Sequence, residues 1–321
     1  MRRRTLALNR LLLSTREGGR RAEQSSSSVL YVVMGSVHSV ERSLLQHRTW
    51  CRYARCAFVT EDSINATGRY DTGMRLVRAG DHRRGPGRSA ESCCANATSA
   101  AERTFFCSSH RRKTMSAQYR FLPALQWAKR QLLSAASGGR GDPRRHGGAL
   151  RWVALVDDDS FVFPRSMHQL LRVHNSSEPV HLGDFWSDAA MADDTTDSSP
   201  RPQYACGGGG SVFSIAALAM LDLSSCIHRL HRQCSQSDWM IGQCAREGGV
   251  RFAPEHGCTC VKWHANTERA VRERLRTGSC SFLQFPNSPG SRGGPFKDLV
   301  PLLRAAARPP AVVHQLERLV R

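Results

Sequence analysis

Apolar residues along this chain fall into short blocks separated by polar, breaker-rich stretches, and the blocks alternate between two periods. VLYVVMGS, opening at Val29, is a β-branched and aromatic run closed by Gly-Ser, which predicts a strand. From Val40 to about Tyr53 a helix follows, with Val40, Leu44 and Leu45 on one face. CAFVT, residues 56–60, predicts a second strand, closed by Glu61 and Asp62. Strand, helix, strand at this spacing is a βαβ unit, so a parallel pair with a right-handed crossover is expected. Tyr119, Leu122, Leu125, Ala128 and Leu132 recur at three or four within 113–133 and predict a helix that Pro123 must kink or restart. Its apolar face would cover the sheet.

The pattern changes at WVALVDDDSFVF, residues 152–163. Val153, Ala154, Leu155 and Val156 are apolar on both parities, which predicts a strand buried on both faces, as in a parallel sheet covered by helices. Asp157, Asp158 and Asp159 then stand at its carboxyl end, where open α/β sheets place their ligand crevice. Beyond it the pattern predicts a short helix over 164–173 with Pro164 in its first turn, a strand over 180–185, and helices over 215–223 and 235–246. Residues 187–203 read as a polar loop. The fold class is therefore α/β, a Rossmann-like sheet flanked by helices. Residues 1–28 read as a basic leader with nothing to bury, 29–290 as one domain with a loop or insertion over 63–112, and 291–321 as an Arg/Ala/Pro-rich tail.

Composition narrows the setting. The net charge of +19 raises nucleic acid as a partner, but arginine is scattered through both termini and the loops without a finger, homeodomain or RNA-binding signature, so no specific nucleic acid is expected. Twelve cysteines fit an oxidising compartment and disulfides. Cys93, Cys94 and Cys107 lie in one loop-like stretch, and Cys226 and Cys234 bracket another; connectivity stays open. Sequons at Asn65, Asn96 and Asn175 are compatible with the secretory route. LALNRLLL is too short to span a membrane, so a secretory protein of this sequence would lack its N-terminal anchor.

Each candidate motif has a plain alternative. Three adjacent carboxylates repel one another unless a cation compensates, and oxygen ligands suit Mg²⁺ or Mn²⁺, which would in turn hold a diphosphate; the plain alternative is an acidic turn solvated at a strand end. The alternating acids and central glycine of an EF-hand loop are absent. The glycines of YACGGGGS, including Gly208 and Gly209, are either a flexible linker or a place where backbone approaches a ligand. Asp238, in the first turn of its helix, is either a functional carboxylate or one that stabilises the helix N-terminus. His256, Cys258, Cys260 and His264 are poorly spaced for zinc, and disulfides or burial explain them as well.

Taken together, QHRTWCRYARCAFVTE, WVALVDDDSFVFPRSMHQLL, YACGGGGSVFSIAAL and SDWMIGQCAREGGVRFAPEH with KWHANTERAV resemble, in order, segments of the Fringe-like β1,3-glycosyltransferases of the family 31 type. The similarity covers about residues 29–270 with the middle insertion unmatched. It implies a nucleotide-diphospho-sugar-transferase-like (GT-A) fold, a Golgi setting as a type II membrane protein, and inverting transfer from a UDP-sugar to a glycan or glycoprotein acceptor. By that resemblance Asp159 matches the Mn²⁺ ligand, with Asp157 and Asp158 around metal and donor, and Asp238 the general base. His264 matches the histidine of the metal site because Trp263 precedes it and Glu268 follows; His256 is the fallback. The chain departs from the pattern where Ser237 replaces the first acid of a pair, and in lacking the anchor. An inactive sugar-binding scaffold and a basic nucleic-acid binder are the rival readings.

Overall fold

The computed structural model of the chain describes residues 28–35, 40–48, 50–60, 76–78, 94–95, 120–136, 150–158, 160–186, 204–205, 210–231, 237–255 and 282–284. Its strands are β1 (Val29–Met34), β2 (Arg55–Thr60), β3 (Leu76–Arg78), β4 (Trp152–Asp157), β5 (Ser160–Val162), β6 (Val180–Gly183), β7 (Phe185–Trp186), β8 (Tyr204–Ala205), β9 (Ser211–Ser214), β10 (Arg251–Pro254) and β11 (Phe282–Gln284). Its helices are α1 (Val40–Arg48), α2 (Phe121–Ala136), α3 (Pro164–Leu171), α4 (Ile215–Met220), α5 (Leu223–Leu230) and α6 (Ser237–Glu247). Seven strands form the main sheet in the order β10-β6-β9-β4-β1-β2-β3, while β5 pairs with β11 and β7 with β8. β1 lies parallel to both β2 and β4, and β9 runs antiparallel between β4 and β6.

The doubly apolar strands follow from two covered faces. Leu30, Val32, Val153, Leu155 and Phe213 face one core with Leu122, Leu125 and Leu132 of α2, Leu230 of α5 and Met240 of α6. Tyr31, Val33, Ala154, Val156 and Val212 face the other, against Trp50, Met167 and Leu171. Side chains alternate across a strand, so every residue of β1 meets a helix layer and none meets water. Each such fully buried side chain contributes about 1.5–3 kcal/mol.

Several elements depart from expectation, each for a local reason. The helix expected over 40–53 ends at Arg48 and resumes as a 3-10 turn, Trp50–Tyr53. Pro123 lies in the first turn of α2, which runs on unbroken to Ala136: as the third residue of a helix beginning at Phe121, it needs no intrahelical acceptor for the N–H it lacks. The single helix expected over 215–223 is two, because Asp222 caps α5, its carboxylate accepting the Ser225 N–H at 3.0 Å. Residues 224–230 are thus helical, and Cys226, which with Cys234 brackets a loop-like stretch in sequence, pairs with Cys244 on α6. β3 lies inside the stretch read as a loop or insertion. β9 was not anticipated; YACGGGGS feeds a strand before it feeds a helix.

Candidate active site

The three central strand ends are what assemble here. Asp157 closes β4 directly beside Met34 at the end of β1, and Gly35 follows, its N–H bonded to the Val59 carbonyl of β2 at 2.9 Å. Parallel pairing brings these carboxyl ends level, so β4 delivers Asp157 to an edge shared by three strands, the edge at which open α/β sheets bind their ligands.

α1 reaches the Asp run with two polar residues one turn apart. Arg42 faces Asp158, its Nη1 3.4 Å from Oδ1, and Gln46 Nε2 donates to the Asp157 backbone carbonyl at 3.2 Å. The Asp158 side chain is 13% exposed and that of Arg42 is 32% exposed, so this ion pair adds little stability; its consequence is to compensate the Asp158 carboxylate beside Asp157. Arg120, buried just ahead of α2, donates to the Gly35 carbonyl at 2.6 Å and fixes the end of β1. Sequence reading passed over Arg42, Gln46 and Arg120. The available signal was a pair of polar residues at i and i+4 on a helix that leaves the strand neighbouring the Asp run.

The Asp238 region is built separately. Asp238 stands in the first turn of α6, and its Oδ1 accepts the Trp239 N–H at 3.1 Å, which is the helix-start role. Trp239 packs against Tyr204 of β8 with ring centroids 5.7 Å apart, bringing the SDW and YAC segments together. α6 is held to α5 by the Cys226–Cys244 disulfide inside the core and by the Arg229–Glu247 ion pair outside it. Gly183 lets β8 come close, for a Cβ there would meet the Ala205 Cβ at 2.6 Å and the Gly210 carbonyl at 3.3 Å. Gly210 has φ 78°, a left-handed backbone suited to glycine, and it leads straight into β9. Ser211 of β9 lies opposite Leu155, two residues short of Asp157, so the chain enters β9 from the side of the Asp run.

Asp157, Asp158 and Asp238 are thus located. Asp159, Gly208, Gly209, His264 and His256 lie outside the described residues. Among the described residues no three His, Cys, Asp or Glu side chains cluster as metal ligands. The donor set present fits a hard cation in kind: Asp157 and Asp158 offer only carboxylate oxygen, and the next residue in sequence offers more. No described helix is long and apolar enough to cross a membrane.

Residues 89–251, slightly more than half of the chain, match the family described as Fringe-like. Over 101 residues the chain is 32% identical to a Mus musculus protein named beta-1,3-glucosyltransferase, covering 32% of this chain and 19% of that protein. The Homo sapiens protein of the same name is 31% identical over 99 residues, 31% of this chain and 18% of that one. The chain therefore spans about a fifth of the length of these relatives.

Proposed function

Since the chain belongs to the Fringe-like family, we propose that it is an inverting, metal-dependent glycosyltransferase that moves a hexose-type sugar from a UDP-sugar to a hydroxyl of a glycan or glycoprotein, in β1,3 linkage. The observation that carries this reading is the placement of Asp157 and Asp158 at the carboxyl end of β4, within the segment that matches the family. The secretory lumen, with a Golgi address and a membrane anchor in the full-length protein, is part of the proposal; Cys51–Cys56, Cys226–Cys244 and an oxidised Cys94 support an oxidising compartment.

In this mechanism Asp159, with His264 or His256 as the fallback, would hold Mn²⁺ or Mg²⁺, with Asp157 and Asp158 around metal and donor, and the cation would supply Lewis-acid neutralisation of the leaving UDP. Arg42 restrains the Asp158 carboxylate through their ion pair, and Gln46 fixes the backbone that carries Asp157. Gly208 and Gly209 allow main chain to approach the sugar without a Cβ in the way. Asp238 takes the proton of the acceptor hydroxyl as its oxygen attacks the anomeric carbon from the face opposite UDP. One displacement inverts that carbon, so no second nucleophilic carboxylate is required. α5, locked to α6 by the disulfide, fixes the helix from which Asp238 projects.

A screen of UDP-sugars with Mn²⁺, reading released UDP in the presence and absence of simple glycosides, tests the proposal. Release that depends on both a particular UDP-sugar and the cation supports it. UDP binding without release under any donor would leave a sugar-nucleotide-binding scaffold, and nucleic-acid retention in a mobility-shift assay with no nucleotide binding would sink both.

A further inference from the structure

We propose that Asn175 is an N-glycan acceptor, carried on the turn between α3 and β6 toward the end of β4 that lies away from Asp157; the proposal rests on the lumenal setting proposed above. Asn175-Ser176-Ser177 has the acceptor spacing with no proline in the middle, and it is the sequon among the described residues. Asn175 is exposed, and Val173 two residues before it is 80% exposed, so no element among the described residues covers this turn. The Asn175 Oδ1 accepts the Ser177 N–H at 3.0 Å, and the Asn175 carbonyl accepts the Glu178 N–H at 3.1 Å. With its oxygen held by the turn, the side chain offers its amide nitrogen to solvent beside the exposed Ser177 that completes the sequon.

The turn is anchored, and its anchors say where a glycan would stand. The Ser176 carbonyl accepts the Ala216 N–H at 3.4 Å, and the Ser214 hydroxyl donates to the Glu178 carbonyl at 2.6 Å. Ser214 pairs with Trp152, the first residue of β4, and the Ile215 N–H bonds the Arg151 carbonyl at 2.9 Å. Asp157 is at the other end of β4, five residues on, roughly 17 Å away at the usual strand rise. A bulky glycan on Asn175 therefore leaves the acidic strand ends accessible. The transfer joins the Asn175 amide nitrogen to the anomeric carbon of an oligosaccharide carried on a polyisoprenoid diphosphate. The bond from that carbon to the diphosphate oxygen breaks, the diphosphate leaves with the electron pair, and one amide proton is released.

The test is expression of the whole chain in a eukaryotic cell behind a cleavable secretion signal, followed by an amidase that frees N-glycans and peptide mass spectrometry. Conversion of Asn175 to aspartate in most molecules is expected, together with loss of one glycan's gel shift in Asn175→Gln and in Ser177→Ala. Ser177→Ala keeps both the asparagine and the backbone N–H of the turn, so a lost shift at unchanged thermal unfolding and unchanged UDP release reports glycosylation and not folding. Secreted protein with Cys226–Cys244 oxidised and Asn175 unmodified overturns the site while leaving the lumenal reading standing. Unmodified Asn175 with Cys226 and Cys244 reduced overturns both.

Discussion

Acidification should destabilise this fold through His181, and replacing that residue should remove the effect. His181 lies in β6 with no exposed surface, its ring stacked on Phe213 at 4.0 Å and flanked by Phe185 at 5.0 Å and Phe252 at 5.4 Å. Neither ring nitrogen has a hydrogen-bond partner among the described residues. Burial among three rings penalises the imidazolium, and the pKa falls from 6.5 to about 3. Between those values the unfolded chain binds a proton that the folded chain refuses. Stability from this group is therefore complete above the unfolded pKa and is lost as pH falls toward the folded one. At about 1.36 kcal/mol per pH unit, the loss reaches about 2 kcal/mol by about pH 5. In His181→Leu that slope vanishes, because leucine fills a similar volume and binds no proton. At neutral pH the variant should be no less stable than the parent, since removing unpaired buried nitrogens offsets the lost stacking. Urea unfolding followed by tryptophan fluorescence, with disulfides intact, at steps from about pH 8 to about pH 5 gives both curves. Subtracting them cancels every other titrating group. A difference that stays flat across that range would refute the reasoning, and His181 would have to be solvated or partnered in solution.

Asp159→Ala is expected to abolish Mn²⁺-dependent UDP binding in a folded protein; calorimetry that finds undiminished affinity removes its metal role. For Asp238→Asn a fall of roughly 10²–10⁴-fold in transfer rate is expected. UDP affinity should stay within about threefold, a difference below ~1 kcal/mol, and near-parental turnover would leave Asp238 as the helix-start carboxylate that its bond to Trp239 already makes it. Gly183→Ala forces a Cβ to within 2.6 Å of the Ala205 Cβ, so a loss of about 1–3 kcal/mol is expected in thermal unfolding, and an unchanged midpoint would mean that β8 yields freely. Cys226→Ser opens a loop closed over a separation of 18 residues and should cost about 3 kcal/mol; parental stability in the variant would show the disulfide to be incidental.

What the chain made legible by itself was local and periodic. The runs at Val29 and Cys56 announced strands by their β-branched and aromatic residues, the run at Trp152 a doubly buried one because apolar residues on both parities are tolerated only under two covered faces, and the strands stand where those runs do. The α/β class and the carboxylates at a strand end followed from the same residues. Short polar cues were harder to read: Asp222 divides one expected helix into two, and an Asp that caps a helix looks in sequence like any other turn residue. Non-local facts were not legible at all. Nothing near Ser211 says that β9 enters the sheet antiparallel between β4 and β6, since register and direction depend on which face finds cover elsewhere. Arg42 reaches Asp158 across 116 positions, and Cys226 selects Cys244 because α5 and α6 pack against each other, not because of their spacing in the chain. His181 reads in sequence as a polar residue in a short strand. Only the packing of Phe213, Phe185 and Phe252 around it, from three separate strands, excludes the water that would otherwise let it hold a proton.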